Sequence, residues 1–396
     1  MKRLLSLLLC IVMICLALTG CSESFLEQFK EDIKEYDDLV LPSEREDVVL
    51  DFYIICEAET TDRSKEDVER YINAHLSDLY KTTLDIHYLS MEEYQNTVLA
   101  DAAKTGEERA DIVLIAGYDM FNALYSQNLL AELTPFYSTK KYGLLNTLIA
   151  STLLKSSLIT VKAYDEVGSP YDSLRYYTVP NNHVIGEYEY VIINKEIARQ
   201  YNFSSRQLEA MTTYELTADL RAAIGDTADQ YVKAVKGIYT DKAAYEAQGY
   251  HVNIVSYPVA DIDEAFLSAF SIVRHELDTR YKDKEDDISI ESKNIYNDHY
   301  ERCMEIVYAL SADVTLKNLL QYGHKGTNYT LDSNEVVTSY TEGAGVYKMN
   351  MLYTGNVFNA YYCEEIGWNA AAYNNGVEQN KESVVPVILP EEEPNE

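Results

Sequence analysis

An alternation of apolar strands and amphipathic helices is the feature that most restricts the fold of this chain. Val48–Cys56 (VVLDFYIIC) is apolar and rich in β-branched and aromatic residues, which predicts a buried strand. Apolar residues then recur at helical spacing from Val68 to Leu79, and Leu84–Leu89 predicts a second strand. Met91–Lys104 predicts a second helix and Asp111–Ala116 (DIVLIA) a third strand. This alternation predicts an α/β fold with a mainly parallel sheet.

Parallel strands need crossover connections, so their carboxyl ends meet at one edge of the sheet. In open α/β sheets ligands bind beyond this edge. Two loops therefore become candidates for binding, Glu57–Asp62 after the first strand and Gly117–Phe121 after the third.

Further along the chain the pattern is less regular. Tyr176–Pro180, Tyr188–Lys195 and His251–Pro258 are predicted to be extended. Helices are predicted at Thr213–Ala223, Asp263–Glu276, His299–Leu310 and Leu316–Tyr322.

The amino terminus has the order of a secretory signal, with Lys2 and Arg3, an apolar run Leu4–Leu18, and small residues before Cys21. Leu18-Thr19-Gly20-Cys21 also fits a lipobox, which predicts cleavage before Cys21 and diacylglycerol on its sulfur. A transmembrane helix is the first alternative, but the run is shorter than the ~20 apolar residues that span a bilayer. Ordinary secretion with an incidental cysteine is the second. The predicted location is the extracellular face of the cell membrane, with a lipid anchor.

Charge excludes some partners. Loss of Lys2 and Arg3 with the signal changes the formal charge from −32 to −34, and such a body repels phosphate backbones and anionic lipid. Nucleic acid is therefore not expected as a partner. The acidic stretch 21–47 is predicted to be a solvated tether between the lipid and the folded body.

Three cysteines remain in the body, Cys56, Cys303 and Cys363. Three thiols cannot all pair, and Cys56 and Cys303 stand in apolar patterns. They are interpreted as small buried hydrophobic residues rather than a disulfide framework. No Cys/His spacing typical of a metal site is present, and the motifs of dinucleotide, calcium and zinc-protease sites are incomplete, so no metal, cofactor or catalytic residue is predicted.

Three segments resemble the extracellular solute-binding proteins of ABC importers, in the family 1, carbohydrate-type branch of Firmicutes lipoproteins. They are DIVLIAGYDMFNALYSQNLLAELTPFY (Asp111–Tyr137), YYTVPNNHVIGEYEYVIINK (Tyr176–Lys195), and NLLQYGHKGTNYTLD (Asn318–Asp332) with YKMNMLYTGNVF (Tyr347–Phe358) and Gly367-Trp368. The resemblance implies a two-lobed, periplasmic-binding-protein-like (type II) fold with a hinge between the lobes. The implied function is capture of a small solute, a sugar or oligosaccharide, for ABC permease subunits, by a monomer.

The resemblance also implies a domain division. It gives a signal peptide at 1–20, a lipidated acidic tether at 21–47, lobe 1 at 48–186 and 259–335, lobe 2 at 187–258 and 336–385, and an acidic tail at 386–396.

Sugar sites need carboxylates or amides for hydroxyl groups and flat aromatic rings for the C–H faces. Asp119 matches the family's acid after the strand, with Tyr118 beside it as a stacking candidate, and Glu187 matches an acid near the crossover. The remaining ligand-binding candidates are Glu57, Glu59 and Trp368. The competing interpretation of each acid is a helix cap or a solvated loop charge.

Two other functions stay open at this point. A surface glycoside hydrolase would use two acids across a cleft, and that spacing cannot be read from sequence. A ligand-sensing or adhesive lipoprotein would keep the fold without a permease.

Overall fold

The computed structural model describes residues 45–104, 109–164, 167–202, 222, 225, 231–237, 239–254, 258–260, 263–275 and 298–384. The predicted signal peptide, the acidic tail and nearly all of the tether lie outside these residues. The predicted helix Thr213–Ala223 also lies outside them, apart from Ala222.

The strands in chain order are β1 Val48–Ile55, β2 Thr82–Leu89, β3 Ile112–Ile115, β4 Leu158–Tyr164, β5 Pro170–Tyr176, β6 Val179–Pro180, β7 Tyr188–Asn194, β8 Val232–Gly237, β9 Tyr250–Ile254, β10 Ala269–Ile272, β11 Tyr329–Leu331, β12 Val336–Tyr340 and β13 Tyr362–Cys363. The α-helices are α1 Asp62–Tyr80, α2 Met91–Ala102, α3 Tyr118–Ser126, α4 Thr134–Tyr137, α5 Leu145–Leu148, α6 Ser151–Ser156, α7 Lys195–Gln200, α8 Tyr239–Ala247, α9 Glu264–Leu267, α10 Asp298–Ala312, α11 Val314–Tyr322 and α12 Ala370–Glu382.

The largest sheet has the strand order β2-β1-β3-β10-β6. β1 runs parallel to β2 and β3, whereas β10 is antiparallel to both β3 and β6. The predicted strand and helix alternation over the first third of the body is confirmed. The carboxyl ends of β1, β2, β3 and β6 therefore share one edge of this sheet.

The sequence prediction was wrong at Asp263–Glu276. A helix forms only at α9, and β10 then enters the large sheet between β3 and β6. All four residues of β10 are buried, and a fully buried strand loses the alternation that separates strand from helix. Phe266 and Phe270 therefore match a helical face by spacing, although they belong to different elements.

The described residues also form an antiparallel pair, β4-β5, and two smaller three-stranded sheets. One has the order β8-β7-β9, with a small core of Tyr188, Tyr190, Ile192 and Val252. The other has the order β11-β12-β13 and packs around Tyr322, Val357 and Trp368. The prediction for the cysteines is confirmed, because Cys56, Cys303 and Cys363 are free and buried. Among the described helices, none combines the length and the apolar character needed to cross a membrane.

Tyr94 of α2 joins the helix layer to the sheet. Its hydroxyl donates to the carbonyl oxygens of Tyr53 and Leu114, both at 2.9 Å, and accepts from the Leu114 amide at 2.8 Å. The side chain is 1% exposed, so water cannot replace these partners. One phenol thereby bridges β1 and β3 next to the edge where both strands end.

We expect Tyr94→Phe to lower the free energy of unfolding by about 1–3 kcal/mol, because the Leu114 amide loses a buried partner. Chemical denaturation followed by circular dichroism measures the change. Tyr164→Phe is the matched control, since Tyr164 is 65% exposed. Equal stability of the two variants would contradict this account.

Candidate functional site

A groove of about 390 Å³ opens at the carboxyl end of β1. Its lining residues come from the loop after β1, from β12, from 348–352 and from the turn after β13, and they are Glu57, Tyr340, Lys348, Met349, Asn350, Met351, Leu352, Glu365 and Ile366. One wall of the groove thus lies at the end of the large sheet, and the other lies at the β11-β12-β13 sheet. Its position agrees with the rule that ligands bind beyond the carboxyl ends of parallel strands.

Backbone hydrogen bonds attach the loop after β1 to the groove wall. The Glu57 amide donates to the Lys348 carbonyl at 3.3 Å, and the Thr61 amide donates to the Val346 carbonyl at 3.1 Å. Thr60 Oγ1 donates to the Lys348 carbonyl at 2.7 Å and accepts from the Lys348 amide at 2.9 Å. Glu57 and Lys348 are therefore held on neighbouring, fixed stretches of backbone.

Buried side chains of α11 hold segment 349–355, which forms part of the groove wall, in place through hydrogen bonds. Lys317 Nζ donates to the Met351 carbonyl at 2.8 Å and to Thr354 Oγ1 at 2.6 Å. Gln321 Nε2 donates to the Met349 carbonyl at 2.8 Å. Complete burial lowers the pKa of the Lys317 amine well below its ordinary value. The wall thus depends on polar groups that water cannot reach.

A third attachment comes from the end of β6. Asn181 Nδ2 donates to Ser268 Oγ at 2.8 Å and to the Leu352 carbonyl at 3.0 Å, and Ser268 Oγ also donates to that carbonyl. The loop after β6 and the start of β10 therefore hold the same segment that Lys317 supports.

The groove lining has a mixed chemical character. Glu57 and Glu365 supply carboxylates, Lys348 an ammonium group, Asn350 an amide and Tyr340 a phenol ring, while the other four residues are apolar. Carboxylates accept hydrogen bonds from hydroxyl groups, an amide both accepts and donates them, and a phenol ring can cover an apolar face. The excess of negative charge disfavours anionic ligands.

Of the six predicted ligand contacts, the structure puts only Glu57 in the groove lining. Glu59 is exposed two residues further along the same loop. Tyr118 and Asp119 form the exposed first turn of α3, where the Tyr118 ring lies 5.4 Å from the Phe266 ring. The roles of Glu59, Tyr118 and Asp119 in binding stay predictions.

Trp368 lies in the small core beside the β11-β12-β13 sheet. It is 4% exposed, and its ring packs at 5.7 Å from Phe358 and 6.2 Å from Tyr373. Its indole Nε1 is buried without a hydrogen-bond partner among the described residues. Its role as a stacking surface for a sugar also stays a prediction.

Glu187 lies where the chain passes from the large sheet to the β8-β7-β9 sheet. Its backbone exchanges two hydrogen bonds of 3.3 Å with Val259, on the return passage, while its side chain is exposed. Val259 also bridges to Val384, with the Ala260 amide donating to the Val384 carbonyl at 3.0 Å. Three segments, 185–187, 258–260 and 383–384, therefore run side by side as a hinge.

The hinge is closely packed at Gly186. This residue has φ +71°, and a Cβ there would lie 3.1 Å from Ser383 Oγ and 3.2 Å from Pro258. The Gly186 amide donates to both carboxylate oxygens of Glu264 at 3.0 Å. Only glycine meets both the dihedral angle and the spacing.

Tyr340, Asn350, Glu365 and Ile366 were missed as groove residues by sequence reasoning. Asn350 lies inside a segment that carried the family resemblance, and this was the available signal. Glu365 has no local signal, because an acid next to another acid is usually a solvated surface charge.

No protein-family model and no curated protein matches the chain. Among solved structures, the N-glycan transport solute binding protein (NgtS) from Streptococcus pneumoniae is similar, with a TM-score of 0.50 and 15% identity over 85% of this chain and 83% of that chain. The same protein in complex with Man5GlcNAc gives a TM-score of 0.48 at 15% identity over the same shares. An extracellular solute-binding protein family 1 from Alicyclobacillus acidocaldarius gives 0.40 at 12% identity over 87% and 88%.

We expect Lys317→Met to lower the free energy of unfolding by about 1–3 kcal/mol, because the Met351 carbonyl and Thr354 hydroxyl lose their buried donor. Thermal and chemical denaturation measure the change. Lys325→Met is the matched control, since Lys325 is exposed. A Lys317→Met protein as stable as this control would argue against the supporting role of the amine.

At 15% identity the likeness to the N-glycan transport solute binding protein concerns the fold, and it spans most of both chains. The chain therefore has the two-lobed α/β fold of the extracellular solute-binding proteins.

Proposed function

We propose that this chain is a solute-binding lipoprotein that captures a sugar or oligosaccharide between its lobes and delivers it to the permease of an ABC importer. The observation that carries the proposal is the groove at the carboxyl end of β1 in a fold that has a three-segment hinge. The fold likeness to a protein described as an N-glycan transport solute binding protein supports the same ligand class.

The chemistry of the groove favours a neutral, hydroxylated ligand. Glu57, Glu365 and Asn350 offer oxygen and amide groups for hydroxyls, while Tyr340 and Ile366 offer apolar surface. Lys348 partly balances the two acids, and the negative charge that remains disfavours an anionic solute. A volume of about 390 Å³ falls within the ~300–1,000 Å³ usual for small-molecule sites.

Delivery requires that the ligand change the shape of the protein. A ligand favours a closed state only through contacts that the open state lacks. Tyr340 lies in the β11-β12-β13 sheet and Glu365 directly follows that sheet's last strand, whereas Glu57 follows a strand of the large sheet. These two walls are held together by the backbone hydrogen bonds between the loop after β1 and Lys348, whereas the hinge leads to the β8-β7-β9 sheet. A sugar in the groove would therefore favour closure about the hinge through additional contacts to that sheet.

A thermal-shift screen over neutral oligosaccharides, amino acids, peptides and polyamines tests the ligand class. A ligand present at 100 times its dissociation constant adds about 2.7 kcal/mol of stability. We expect saturable stabilisation by a neutral sugar, with calorimetry giving at least a tenfold weaker Kd for Glu57→Gln and Tyr340→Ala. Glu66→Gln is the matched control, since Glu66 is exposed on α1 and outside the groove lining.

Two results would overturn the proposed ligand class. One is stabilisation by amino acids or polyamines without any response to sugars. The other is a Kd for sugar that changes in Glu66→Gln but not in Glu57→Gln or Tyr340→Ala.

The lipid anchor is a separate part of the proposal and rests on the sequence around Cys21. We expect Cys21→Ser to abolish incorporation of labelled palmitate and to release the protein from the membrane fraction of expressing cells. Cys15→Ser, within the signal, is the matched control and should leave labelling unchanged. Membrane retention and labelling of the Cys21→Ser protein would exclude this anchor.

A further inference from the structure

Three potential metal ligands meet at the end of the large sheet opposite to the groove. Asp111 immediately precedes β3, His275 follows β10, and His299 lies in the first turn of α10. At ~3.3 Å per residue, the path from Asp111 to Ala116 at the other end of β3 covers roughly 16 Å. This cluster is therefore separate from the proposed solute site.

The geometry of the cluster is convergent. His275 Nε2 and His299 Nε2 lie 2.7 Å and 2.8 Å from the same oxygen, Asp111 Oδ1. The two rings are 4.1 Å apart between centroids, at 48° to each other. One donor atom from each residue falls within 4.8 Å of the others. Two imidazole nitrogens and one carboxylate oxygen thus surround a single point.

The surrounding backbone fixes the ligands. Asp111 Oδ2 accepts from the Asp51 amide at 2.8 Å, which directs Oδ1 towards the histidines. The Asp111 carbonyl accepts from the Val273 amide at 2.8 Å, and this bond aligns β10 with β3 just before His275. Tyr300 Oη donates to the His275 carbonyl at 2.9 Å. Such outer contacts are typical of sites in which ligand orientation matters.

His275 makes a close polar contact with Asp111. Its Nε2 is buried and makes no hydrogen bond of acceptable geometry among the described residues, although Asp111 Oδ1 is only 2.7 Å away. A cation between the two atoms would accept a lone pair from each.

We propose that Asp111, His275 and His299 bind one divalent transition-metal ion of the zinc class. Two imidazoles with one carboxylate suit zinc and related ions, whereas calcium and magnesium prefer oxygen ligands throughout. With metal–ligand distances of ~2.0–2.1 Å, tetrahedral ligand atoms stand ~3.4 Å apart, so the rings need to separate by only ~0.6 Å. A water molecule would complete the coordination.

The cluster is partly exposed on its histidine side. Asp111 is almost fully buried, with 6% of its side chain exposed, but the side chains of His275 and His299 are 22% and 29% exposed. Cys303 Sγ lies 3.6 Å from His299 Nε2, one helical turn further along α10, and is fully buried behind it. The ion can therefore enter from the histidine side.

A bound ion would connect three elements that are distant in the sequence. It would join the start of β3, the end of β10 and the start of α10, with no contact to the groove. We therefore expect it to stabilise lobe 1 without altering the affinity for solute.

The test uses the chain purified without a histidine tag and freed of metal by a chelator. We expect calorimetry to give one equivalent of Zn²⁺ bound, thermal unfolding to shift upwards with Zn²⁺, and Co²⁺ to give the intense visible bands of tetrahedral coordination. His275→Ala and His299→Ala should weaken Zn²⁺ binding about 100-fold or more. His324→Ala is the matched control, since this ring stacks on Tyr71 outside the cluster.

Circular dichroism of each variant verifies folding, and Asp111→Asn adds a variant that keeps the size of the side chain. Absence of stoichiometric Zn²⁺ binding, or binding that survives loss of both histidines, would overturn the proposal. Stabilisation by Ca²⁺ and Mg²⁺ alone would also overturn it. Because sugar titrations are read separately, failure of the proposed solute function would leave this result unaffected.

Discussion

Parallel pairing of β1 with β2 and β3 is the constraint on which the rest of the structure depends. It makes the helices cross over the sheet and brings the ends of β1, β2 and β3 to one edge. β10 then enters antiparallel, which places its first residue beside the end of β6 and near segment 349–355. The groove exists because these loops meet there, and Tyr94 holds two of the strands together close to that edge.

Rigid support of the groove and freedom at the hinge are provided by different interactions. The groove wall is fixed by buried donors, Lys317, Gln321 and Asn181, whose loss would leave carbonyl groups unpaired. The hinge consists of three short extended segments with a few backbone hydrogen bonds at Val259. Small changes in φ and ψ at such segments can rotate one sheet relative to another without disturbing either core.

The large sheet carries distinct chemistry at its two ends. At the carboxyl ends of the parallel strands, oxygen and amide groups mix with apolar surface, which suits a neutral hydroxylated solute. At the amino end of β3, two imidazoles and a carboxylate converge, which suits a metal ion. Because β3 separates the two ends, the proposed metal ion and the proposed solute would not contact each other.

The sequence by itself determined the features that depend on local pattern. Apolar runs and helical periodicity located β1 to β3 with α1 and α2, and the buried character of the cysteines followed from their apolar neighbours. The edge of the sheet at which the groove lies also followed, since parallel strands allow one choice, and Glu57 was placed there in this way. Periodicity failed at β10, because a strand buried on both faces has no alternation.

Tertiary structure alone decided what depends on contacts between distant segments. Glu365 joins Glu57 in the groove, Trp368 is enclosed by Phe358 and Tyr373, and Asp111 meets His275 and His299, although long stretches of chain separate most of these partners. Sequence spacing does not predict these contacts, because they depend on how the sheets pack and on the path of the hinge segments. The physical reason is that the hydrophobic pattern predicts whether a residue is buried, whereas a candidate site depends on which residues from distant segments lie next to one another.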